Sequence, residues 1–152
     1  MTTTVRGLEE LKALAGKDLG RSGWLEITQD RVNTFADATG DHQWIHVDVE
    51  KAKSGPFGGP IAHGYLTLSL IVSLFAELLD VQDVKTGVNY GLEKLRFPSP
   101  VPVGSRIRLN TKVHSVEEVA GNGVQTQLEC TMEVDGSDKP ACIAQVLYRH
   151  YA

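Results

Sequence analysis

"IAHGYLTLSLIVSLFAELL", residues 61–79, is the most apolar run of the chain, and its environment decides the architecture. Its length would serve for a bilayer span. However, His63, Gly64, Thr67, Ser69, Ser73 and Glu77 are scattered through it, and polarity of that kind marks a helix buried inside a folded protein. The run predicts one helix starting near Ile61 or Ala62 and reaching Leu79, roughly 28 Å long at about 1.5 Å per residue. Because it is hydrophobic almost all round between Leu66 and Leu79, it should be enclosed on most sides.

Everything after that helix reads as sheet. In "RIRLNTKVHS" Ile107, Leu109, Thr111 and Val113 alternate with Arg106, Arg108, Asn110 and Lys112, the period-two signature of a half-buried strand. Val124, Thr126, Leu128, Cys130, Met132 and Val134 repeat it, with Gln125, Gln127, Glu129, Thr131 and Glu133 on the opposite face. "AGNG" and "DGSDK" supply turns, and "ACIAQVLYRHY" is apolar on both faces for part of its length, as an inner strand would be. An α+β fold in which a long antiparallel sheet curls around one central helix satisfies these patterns together.

Upstream, "LEELKALA" suits a short amphipathic helix ended by Gly16, and "SGWLEIT" a short strand. Thr28 can cap the next helix, whose face carries Val32, Phe35, Ala36 and Thr39 at i, i+3, i+4, i+7 and which Gly40 should terminate. "DVEKAKSG" offers a capping Asp48, a turn or two of helix and a stop at Gly55; "GPFGGP" is a kinked loop.

At 152 residues the chain is read as one domain, residues 1–152. Its 41% hydrophobic and 22% charged composition, net charge of -4 and lack of long like-charge blocks leave no nucleic-acid footprint. "MTTTVRGLEELKALAG" lacks the apolar core of a secretory signal, so a cytoplasmic protein without a membrane segment is expected. Cys130 and Cys142 form no CxxC pair and are read as reduced core residues.

The chemistry concentrates in "GDHQWIHVD", residues 40–48. His42 and His46 have HxxxH spacing, which would place two imidazoles on one helix face with Asp41 or Asp48 to complete a metal site. That reading needs a helix where Gly40 signals a stop, so no metal is expected. Alternatively, Asp41 and His46 share a water, removing one proton and supplying another, as hydration of an activated double bond requires. A third reading leaves Asp41 as a turn cap and His46 bonded to a backbone carbonyl.

"FADATGDHQWIHVDVEKA" followed by "GPFGGPIAHGYLTLSL" resembles the MaoC-like dehydratases and (R)-specific enoyl-CoA hydratases, whose fold is the hot dog, with a NodN-like branch within reach. The resemblance rests on Phe35, Gly40, Asp41, His46 and Ala52 and on the second block around Gly64; Gln43 and Trp44 stand where the family usually has Asn and Pro. It implies that Asp41 and His46 are the catalytic pair and that the Gly64 N–H binds the thioester carbonyl. His63 is a further candidate substrate contact, though its ring is more simply read as fixing the helix start by hydrogen bonding. The implied reaction is reversible syn hydration of a trans-2-enoyl-CoA to the (R)-3-hydroxyacyl-CoA. The substrate is an acyl-CoA or acyl-carrier-protein thioester, no cofactor is needed, and a homodimer is expected. A hot-dog thioesterase and a non-catalytic acyl-thioester binding domain are the alternatives.

Overall fold

The computed structural model describes all residues, Met1–Ala152. The chain opens with β1 (Thr3–Arg6), α1 (Gly7–Lys12), β2 (Asp18–Arg21) and the two-residue β3 (Leu25–Glu26). Helix α2 (Gln29–Thr39) follows, and its ends are where sequence chemistry puts them: Thr28 accepts the Arg31 N–H at 3.1 Å, and Gly40 adopts the left-handed conformation at φ 78°. Two short helical turns, α3 (Trp44–Val47) and α4 (Val49–Lys53), come next, with the Asp48 side chain capping α4.

The apolar run forms α5 (Gly64–Ser69) and α6 (Ile71–Phe75), joined through Leu70, which keeps right-handed helical angles. The helical stretch is therefore shorter than the run predicts, about 18 Å at roughly 1.5 Å per residue. Both ends are taken by other partners. Ile61 bridges Pro102 and donates its N–H to Ile45, and Ala62 donates to Val101, so these residues are extended. At the far end Leu79 begins β4 (Leu79–Gln82), which pairs in parallel with β1 in a separate two-stranded sheet. Nor is the helix enclosed on most sides: Leu66, Leu70, Ile71, Leu74 and Phe75 are buried, whereas Tyr65 and Val72 are 68% and 48% exposed.

The long strands are β5 (Thr86–Arg96), β6 (Arg106–Val119), β7 (Gly123–Val134) and β8 (Cys142–Tyr151). They build an antiparallel sheet ordered β2-β6-β7-β8-β5, with β3 also on β6. The alternation in β6 and β7 sorts as expected. Ile107, Leu109, Val113, Val124, Leu128 and Met132 are wholly buried and share one core with the helix, Thr111 is buried among them, and their charged neighbours turn outward. Of those, Arg106 pairs with Asp135 and Arg108 with Glu133. Strand β8 lies inside the sheet, and β5 forms its edge with ten of eleven residues exposed. Cys130 and Cys142 are free thiols buried on β7 and β8; burial pushes them up to about 12 and about 11. No helix is long and apolar enough to cross a membrane.

Candidate active site

Gly40 turns the chain out of α2, closing it with its N–H on the Ala36 carbonyl at 2.8 Å, so Asp41 is the first residue of a loop. The Asp41 carboxylate is exposed and held only by a long 3.4 Å contact from the Gln43 N–H. One helical turn later α3 points His46 inward, leaving it 6% exposed. Two contacts fix it there. The Gln29 side-chain amide donates to the His46 carbonyl at 2.9 Å, and the ring Nδ1 donates to the Ile61 carbonyl at 2.7 Å.

The second contact decides the chemistry of the ring. A carbonyl oxygen only accepts, so the proton sits on Nδ1 and Nε2 carries the lone pair. Burial holds the imidazole below its ordinary value, partly opposed by the Ile61 carbonyl and Asp41. The result is a neutral base whose free nitrogen is available to a reacting group.

His63, 2% exposed, lies face to face with His46, ring centroids 3.9 Å apart at 25°. Its Nε2 donates to the Asp41 backbone carbonyl at 3.0 Å, and Phe35 packs on it at 4.8 Å. The Asp41 carboxylate and one ring nitrogen from each histidine all fall within 4.8 Å of one another. Gly64 starts α5, and as the first helical residue its N–H has no intrahelical acceptor. A cleft of about 310 Å³ runs past His46, Gly64 and Thr67, walled by Phe57, Phe97 and Val101.

The HxxxH pair does not converge. His42 swings out to Asp37 at 2.9 Å, an ion pair that raises the pKa of its ring, while His46 turns into the core. The convergent trio is Asp41, His46 and His63. Zinc lies in the plane of each imidazole that binds it, about 2.0–2.1 Å from nitrogen. Two rings stacked 3.9 Å apart at 25° offer no point that lies in both planes within bonding distance of both rings. The arrangement suits proton transfer to a water better than coordination.

Some residues of the site escaped the sequence reading. Gln29 gives no signal of its own, because its partner, the His46 carbonyl, is seventeen positions away. Phe97 precedes a Pro-Ser-Pro loop at the end of β5, an aromatic at a strand terminus that pattern alone could have marked. Its ring would lie 3.1 Å from a Cβ at Gly64.

A model of the MaoC like domain matches residues 10–134. The chain belongs to the MaoC-like dehydratases. It is 51% identical over 149 residues to 3-hydroxyacyl-thioester dehydratase Z of Mycobacterium tuberculosis H37Rv, covering 98% of this chain and 99% of that one. Nodulation protein N of Rhizobium leguminosarum bv. viciae is 40% identical over 139 residues, covering 90% and 86%. Among solved structures, the unliganded R-hydratase PhaJ1 of Pseudomonas aeruginosa superposes with a TM-score of 0.67 at 23% identity, over 88% of this chain and 79% of that one, a likeness of fold. In this MaoC-like dehydratase, Trp44 occupies the first position of α3, a place where proline is favoured for its fixed φ. The Trp44 ring instead packs on Gly55, where a Cβ would meet it at 2.9 Å, so a side chain there would force the loop off the ring.

Proposed function

We propose that the protein hydrates trans-2-enoyl thioesters reversibly to (R)-3-hydroxyacyl thioesters, with Asp41 and His46 as the catalytic pair. The observation that carries this reading is the His46 tautomer: Nδ1 is committed to Ile61, so the Nε2 lone pair is free on a ring that lines the cleft and has the Asp41 carboxylate as its neighbour. Asp41 orients a water. His46 Nε2 takes one of its protons as the oxygen bonds to C3, and the same proton passes to C2 on the same face, returning the imidazole to its neutral form. Negative charge that builds on the thioester oxygen meets the Gly64 N–H, which no helix carbonyl consumes and which the start of α5 makes more positive. Dehydration is the same path reversed.

The full-length similarity to a 3-hydroxyacyl-thioester dehydratase supports this substrate class. Acyl-CoA and acyl-carrier-protein thioesters share the reacting group. No metal or redox cofactor is needed for the proton movements, so activity should survive exhaustive chelation. The exposed edge strand β5, beside the open stripe of Tyr65 and Val72, supports a homodimer in which two sheets join.

The test follows enone absorbance and free thiol together on trans-2-enoyl-CoA. Loss of absorbance without thiol, and a product that chiral analysis shows to be (R), is the expected result. Release of thiol would replace the reading with a thioesterase, and neither change would leave a binding domain.

A further inference from the structure

We propose that His63 is a positioning residue that ties the Asp41 loop, the His46 ring and the start of α5 into one rigid unit. This rests on the hydratase reading for its consequence in turnover, but not for its structural content. Three observations carry it. The carbonyl of Asp41 only accepts, so His63 holds its proton on Nε2 and fixes the main chain from which the carboxylate projects. Its ring covers one face of His46 at 3.9 Å and keeps water from that side. Its own backbone carbonyl accepts the Leu66 and Thr67 N–H groups, so the residue that grips the loop is also the cap of the helix whose first N–H belongs to Gly64.

The remaining ring nitrogen, Nδ1, is buried with no hydrogen-bond partner. An unpaired buried acceptor lowers stability, so a residue chosen for stability alone would not be expected at this position. Phenylalanine would fill the same space between Phe35 and His46 without that penalty. What phenylalanine lacks is the donor to Asp41.

Two variants separate the halves of the role. His63→Phe keeps a ring against His46 and removes the donor; His63→Gln keeps an amide donor near the place of Nε2 and removes the ring. With the Asp41 loop released by about an ångström, the Phe variant should lose roughly 10²-fold in kcat with little change in KM, the scale of such misplacements. The Gln variant should keep more of kcat but admit water beside His46. The titratable groups facing His46 are Asp41 and His63; with His63 gone and water admitted, the His46 titration followed by ¹⁵N NMR should move upward. A folded Phe variant with wild-type kcat, or a Gln variant whose His46 titrates as in the wild type, overturns the proposal. So does a wild-type spectrum placing the His63 proton on Nδ1, a result that needs no variant. If the wild-type protein shows no hydratase turnover and the Gln variant still shifts His46, the positioning role stands and the functional reading falls.

Discussion

Replacing Gly64 with alanine tests the oxyanion donor at the point where the structure gives a magnitude. The added Cβ would lie 3.1 Å from two Phe97 ring carbons and 3.2 Å from a third, closer than ordinary contact by a few tenths of an ångström. Phe97 is 39% exposed, so its ring can yield outward and the fold should lose under about 1 kcal/mol, as for most surface-side changes. The cleft will not be so tolerant, since Gly64 and Phe97 both wall it. Removing an oxyanion donor outright costs about 2.7–4 kcal/mol. Alanine keeps the N–H but displaces the ring and crowds the thioester, so a smaller loss is expected, about tenfold to somewhat under a hundredfold in kcat on saturating trans-2-enoyl-CoA. Gly59→Ala is the control, with nothing within 4 Å of its Cβ and an ordinary φ; Gly58 is unsuitable, because its φ of +72° would add backbone strain. Adding Phe97→Leu to Gly64→Ala should recover part of the loss. A Gly64→Ala enzyme that turns over like Gly59→Ala removes Gly64 from the mechanism.

Asp41→Asn and His46→Gln should each lower turnover by roughly 10²–10⁴ with unchanged circular dichroism; near-full activity in either would exclude that side chain from the chemistry. Because burial holds His46 below its ordinary 6.5, the acid limb of kcat/KM should fall below that value, and a limb above it would contradict the buried neutral base. The same shift has a stability consequence, shared by His150, which burial also lowers. As pH falls past the unfolded value near 6.5, the unfolded chain takes protons that the folded one refuses, so urea midpoints should drop between about pH 7.5 and about pH 5.5. The raised His42 opposes this, but it is exposed and contributes little. In solution the protein should sediment at twice its 16.6 kDa chain mass, and the double variant Val88→Glu, Leu92→Glu on β5 should shift it to monomer; a wild-type monomer at tens of micromolar would refute pairing through that edge.

The parts of the fold that were legible in sequence are those governed by local rules. Thr28 and Gly40 bracket α2 because capping is chemistry between neighbours, and the inward residues of β6 and β7 follow from alternation alone. The sequence overstates the length and enclosure of the central helix, because an unbroken apolar run contains no record of competing partners. Ile61 is drawn off by Pro102 and Ile45, and Leu79 by Thr3, from distant parts of the chain. The site divides the same way. Asp41 and His46 stand five residues apart in one loop, whereas the Ile61 carbonyl that sets the His46 tautomer and the His63 ring stacked on it arrive from the next segment, and no spacing rule points to either.

The two cysteines give the protein a silent background. Cys130 stands opposite Ala144 and Cys142 opposite Met132 in one ladder at the centre of the sheet, with thiols that burial pushes up to about 12 and about 11. A thiolate-seeking dye at neutral pH therefore meets neither sulfur until the core packed on β7 and β8 opens. In the assay that separates hydration from thioester cleavage, any prompt colour belongs to released CoA and none to the enzyme. On a longer timescale, with no substrate present, slow labelling becomes a clock for the opening of the sheet, and a ligand that slows it has bound the folded state.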